Sequence, residues 1–148
     1  MSTTLALEDH SMTEDPFECD TCKVMFTAPL FDISVSTEKR IDTPDEPYPF
    51  MVDIKRATGF ANFCSSECRN KGRIGAMTAQ GVPIPAESPV YDPIESCAVC
   101  NGPVNMLEWH SMYTESAFDE DWHHIEEVQY LAVVCPSCET RIKLENKR

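Results

Sequence analysis

The stretch LAVVCPSCETRIK, residues 131–143, decides the reading of this chain. Its apolar start, ending in the β-branched pair Val133 and Val134, reads as a buried strand. The strand runs into a Cys-x-x-Cys knuckle, Cys135 to Cys138. The polar run that follows, with Glu139 in a first turn and Arg141 and Lys143 beyond it, reads as a terminal helix. Two thiols at i and i+3 on a tight turn present one edge of a tetrahedral metal site, and a second pair must supply the other edge.

The chain of 148 residues holds 8 cysteines. They fall into four pairs: Cys19/Cys22, Cys64/Cys68, Cys97/Cys100 and Cys135/Cys138. Four pairs complete two closed four-thiolate sites, the structural form of bound zinc, with no thiol left over. Two structural Zn²⁺ are therefore expected. Iron is the alternative, because a tetrahedral set of sulfurs does not distinguish the two metals. The proline-rich GVPIPAESPVYDP, residues 81–93, stands between the second and third pairs and reads as a stiff linker. Sequential pairing follows, with Cys19, Cys22, Cys64 and Cys68 on one metal and Cys97, Cys100, Cys135 and Cys138 on the other. An interleaved cross-brace is the alternative.

These signals give an α+β protein with two small zinc-stapled modules of treble-clef or zinc-ribbon type. Residues 1–15 read as a flexible acidic tail, 16–80 as the first module, 81–93 as the linker and 94–148 as the second module. In the first module, Lys23–Ser36 and Tyr48–Ile54 read as strands around the turn-rich TPDEPYP. Ser65 reads as the N-cap of a helix that Gly72 and Gly75 should stop. In the second, Pro103–Tyr113 and His124–Val134 read as strands around an acidic loop, TESAFDEDW. Metal-held modules support folds that such small cores could not hold alone.

The formal net charge is −13. Between Ile74 and Thr140 there is no Lys or Arg, while acids run from Glu87 to Glu139. That region is a poor surface for a polyanion and a good one for a basic partner. The chain start has no basic, apolar leader pattern, and no run approaches the length of a membrane span. A reducing setting is expected, cytoplasmic or within a virion assembled there, where clustered cysteines bind metal.

The run Phe63-Cys64-Ser65-Ser66-Glu67-Cys68 resembles the second knuckle of TRASH-type and related ribosomal treble-clef fingers. The order CAVC, MLEWHSM, YLAVVCPSCETRIK over residues 97–143 resembles the HNH, or ββα-metal, nuclease family. That second resemblance implies His110 as a general base, with Glu108 and Glu139 as substitute metal ligands. It also shows departures. Trp109 and Lys143 occupy places where the family has ligands, and Tyr130 stands where an Asn orients the base.

Three functional readings result. The first is a non-catalytic, zinc-binding interaction or assembly module, accessory, regulatory or viral, with a protein partner. The second is a nucleic-acid-binding regulator using Lys55, Arg56, Arg69, Lys71 and Arg73. The third is an HNH-type metal-dependent nuclease built on His110, Glu108 and Glu139. The acidic charge and the departures favour the first. His123 and His124 read as surface or packing residues, since neighbours on a strand face opposite sides, and His10 falls in the tail.

Overall fold

The computed structural model describes residues 16–118 and 125–146. Residues 1–15, 119–124, 147 and 148 lie outside them, and with them the expected acidic tail, the end of the expected acidic loop, His10, His123 and His124.

The chain runs through the same sequence of elements twice. A short hairpin, β1 (Phe17–Glu18) and β2 (Met25–Phe26), carries the first knuckle. Two long strands follow, β3 (Leu30–Asp42) and β4 (Phe50–Phe63), and then helix α1 (Ser66–Gln80). The second half repeats the order with β5 (Ile94–Ser96), β6 (Pro103–Asn105), β7 (His110–Phe118), β8 (Ile125–Val134) and α2 (Pro136–Asn146). The long strands form one antiparallel sheet in the order β4-β3-β7-β8. The halves therefore meet along β3 and β7, in register from Leu30↔Phe118 to Glu38↔His110.

This central position explains the burial of β7. Thr114, Glu115 and Ala117 are all buried, although TESAF looks like loop sequence. The expected acidic loop is strand up to Phe118 because β3 and β8 satisfy its backbone on both sides. Side chains alternate across the sheet. Tyr113 and Glu115 face the layer that holds both helices: Tyr113 bonds Glu139 of α2, and Glu115 bonds Arg73 of α1. His110 faces the opposite layer, where it meets Tyr91.

The first-module strands lie later than the sequence suggests. β3 and β4 are joined around TPDEPYP, with the Thr43 amide donating to the Pro49 carbonyl at 3.0 Å. Helix α1 begins as expected, the Ser65 hydroxyl accepting from the Cys68 amide at 3.2 Å. It does not stop at Gly72 or Gly75. It ends at Gly81, whose φ of 83° supplies the left-handed cap. Gly72 serves close packing instead: an added Cβ would lie 2.6 Å from both the Phe63 ring and the Thr21 hydroxyl.

Residues 81–93 run packed along the sheet. Val82 and Tyr91 are buried in a single cluster that also holds Ile33, Phe63, Met77, Met112 and Val133. Arg40 donates to the Tyr91 carbonyl at 2.6 Å, and the Arg40 amide donates to the Met106 carbonyl at 2.7 Å. One apolar core thus serves both halves.

Candidate metal centres

Each centre is built from a knuckle on a short hairpin and a second cysteine pair at the start of a helix. The two knuckles have the same backbone plan. The Cys19 carbonyl accepts from the Lys23 amide, and the Cys97 carbonyl accepts from the Asn101 amide. Lys23 and Asn101 both adopt positive φ, 67° and 64°. The residue after each first cysteine docks the knuckle onto its own long strand. Asp20 donates to the Asn62 carbonyl, and Ala98 donates to the Val133 carbonyl. Asn62 and Val133 stand two residues before Cys64 and Cys135, so each knuckle is brought to face its partner pair.

The eight thiols gather in two groups in the sequential arrangement. The sulfurs of Cys19, Cys22, Cys64 and Cys68 all lie within 4.8 Å of one another, and so do those of Cys97, Cys100, Cys135 and Cys138. Cys22 and Cys64 sulfurs are 3.7 Å apart, Cys64 and Cys68 3.9 Å, and Cys100 and Cys135 3.9 Å. All eight are free, and these separations are far beyond a disulfide bond of about 2 Å. A tetrahedral ion with metal–sulfur bonds of about 2.3 Å requires sulfurs about 3.8 Å apart. The donor set therefore fits a four-thiolate metal ion in both places.

The electrostatics within each group point the same way. Burial raises the Cys19 thiol, but the amides of Cys22, Cys64 and Thr21 outweigh it and bring it to about 6. Cys97 shows the same balance with the amides of Cys135, Cys100 and Val99 and falls to about 7. Cys64 and Cys138 are pushed up to about 12, by burial first and then by the neighbouring thiols. Four sulfurs this close cannot all ionise unaided; a cation at the centre removes the conflict.

The other candidate residues are dispersed. His110 is buried, and its Nδ1–H donates to the Glu108 carbonyl at 2.8 Å. Its Nε2 stands 3.0 Å from the Tyr91 hydroxyl, which donates to Glu38 at 2.7 Å. Burial holds its pKa below the ordinary value. The Glu108 side chain is exposed, and Glu139, which borders the same hollow as His110, accepts from the Tyr113 hydroxyl. The structure does not bring the three side chains into one centre.

The five basic residues do not form one patch either. Arg73 grips Glu115 at 2.7 and 2.9 Å, and Arg69 lies 3.7 Å from the same carboxylate. Lys71 pairs with Glu67 one turn earlier, 3.6 Å away. Lys55 sits over Trp109, 5.4 Å from its ring centroid, and Arg56 lines a hollow beside α2.

Sequence reasoning missed the buried Glu38–Tyr91–His110 chain. Glu38 and His110 are cross-strand partners, so the signal existed only in the pairing of β3 with β7. No family model, curated protein or solved structure matches the chain. Among the described residues no helix is long and apolar enough to cross a membrane.

Proposed function

We propose that this protein is a non-catalytic assembly module, with two treble-clef-like units each closed by a structural Zn²⁺ and a protein partner bound on its surface. The observation that carries the non-catalytic reading is the composition of the two metal groups. Each offers four thiolates, a full tetrahedral shell with no position left for water or substrate. His110 and Glu139 border one hollow, but each side chain is already engaged, His110 by the Glu108 carbonyl and the Tyr91 hydroxyl and Glu139 by the Tyr113 hydroxyl. This supports the same reading, since HNH-type chemistry needs its base and its metal ligands turned to one ion.

The partner reading rests on β8. Among the described residues it closes one edge of the sheet, and its first half exposes Ile125 and Val128, each more than half accessible. Glu126 and Glu127 also lie on this strand. An open edge with exposed apolar residues, on a chain of net charge −13, suits an extended basic segment added as a further strand.

Two measurements test this. Val128→Lys should abolish co-purification with the physiological partner while leaving metal content and circular dichroism unchanged. Wild-type protein should leave single- and double-stranded DNA and RNA intact with Mg²⁺, Mn²⁺ or Ni²⁺. Divalent-dependent cleavage that is lost in His110→Ala would replace this reading with the nuclease one.

A further inference from the structure

Two adjoining hollows lie between α2 and the sheet, with volumes of about 230 and 180 Å³. They share Thr37, Glu139 and Lys143, so they form one groove. One end reaches Arg56 and Thr58 on β4; the other reaches Trp109 and Ser111 at the start of β7.

The charge at the Trp109 end is unusual for so acidic a chain. Lys39 and Lys55 are both drawn to the same indole, with Nζ atoms 4.8 and 5.4 Å from its centroid. Two ammoniums gathered at one ring repel each other. Among the described residues neither has a carboxylate partner. Lys143 and Arg56 add two further cations along the groove. Glu139 is the one acid in its lining, and its carboxylate is held by the Tyr113 hydroxyl at 3.1 Å.

Two hydroxyl-bearing residues, Thr37 and Ser111, also line the groove.

We infer that this groove binds the sugar–phosphate backbone of single-stranded nucleic acid, with Lys39, Lys55, Arg56 and Lys143 meeting successive phosphates. A linear groove with spaced cations suits a chain that bears one anion per repeat. Phosphate oxygens accept from both ammoniums and hydroxyls, which gives Ser111 and Thr37 a role. Drawing the two lysines onto phosphates uncovers the Trp109 ring, and a base can then stack on it. An acidic peptide has no base to take that place. The groove lies between α2 and the sheet, away from the β8 edge, so this inference stands independently of the protein partner proposed above.

The test is fluorescence titration of zinc-loaded Trp122→Phe protein, in which Trp109 is the sole tryptophan, with a ten-nucleotide oligothymidylate. The expected result is quenching at 50 mM salt, with log affinity falling against log salt at a slope of roughly −3 for four phosphate contacts. Lys39→Gln with Lys55→Gln should weaken binding at least fivefold and flatten the slope by about 1.4. Lys71→Gln, on α1 outside the groove, should change nothing. A ten-residue polyglutamate should neither bind comparably nor quench. No quenching up to millimolar oligonucleotide, equal binding of polyglutamate, or equal weakening by Lys71→Gln would each overturn the inference.

Discussion

Arg73 of α1 and Glu115 of β7 form a bidentate ion pair, at 2.7 and 2.9 Å, that ties the helix of the first half to the central strand of the second. Glu115 is 3% exposed, and Arg69 brings a second guanidinium to it at 3.7 Å. Removing the carboxylate leaves two cations against a buried surface. Glu115→Ala should cost about 3–5 kcal/mol. Arg73→Ala should cost less, because Arg69 remains beside the acid. Chemical denaturation of zinc-loaded protein decides; equal, small losses would show that the pair contributes little.

The two glycines of α1 should respond in opposite directions to alanine. At Gly75 an added Cβ meets nothing within 4 Å, so Gly75→Ala should stabilise by up to about 1 kcal/mol through helix propensity. At Gly72 the same atom would press into the buried Phe63 ring and the Thr21 hydroxyl, which itself bonds the Cys68 carbonyl at 2.7 Å. Gly72→Ala should therefore destabilise by roughly 1–3 kcal/mol despite the better propensity. Melting curves of the two variants check this, and stabilisation by both would contradict the packing.

What could be read from the sequence followed from local chemistry. The knuckle spacing placed the cysteines, Ser65 announced the start of α1, and the prolines of TPDEPYP marked the turn between β3 and β4. The pairing of β3 with β7 was not readable, because it joins segments about eighty residues apart and no local signal encodes it. Without that pairing, Glu115 looked like one more solvated acid and Arg69 and Arg73 looked like free cations. The likeness of the two halves was hidden too. Residues 23–63 and 101–134 differ in length between otherwise equivalent knuckles, and one helix-borne pair is Cys-x-x-x-Cys while the other is Cys-x-x-Cys.

Asp32 gives a pH-dependent prediction. Its Oδ1 is buried without a hydrogen-bond partner, and burial pushes its pKa up from 3.8 to about 6. The folded chain thus holds this proton more tightly than the unfolded chain does. Asp32 imposes no penalty below about pH 4; the penalty grows as pH rises and is complete above about 6. Asp32→Asn should raise the melting temperature by a few degrees at pH 7.5 and by clearly less at pH 5. The same gain at both values would refute the assignment.

His110 holds position through two contacts, the Glu108 carbonyl and the Tyr91 hydroxyl. His110→Ala removes the donor to the part-buried Glu108 carbonyl and opens a cavity beside Tyr91. It should lower stability by about 1–3 kcal/mol while leaving metal content unchanged. Loss of bound metal in this variant would mean that His110 belongs to a metal site.

The central claim is that two closed four-thiolate centres hold the fold, and metal content tests it most directly. Protein purified without added metal, analysed for every transition element alongside thiol titration, should contain two Zn²⁺ per chain and no disulfide. Its eight thiols should be protected until a chelator is added, and chelation should unfold the chain, because metal-binding energy is folding energy here. One metal ion or none per chain, with the fold intact and the thiols reactive or oxidised, would contradict the account.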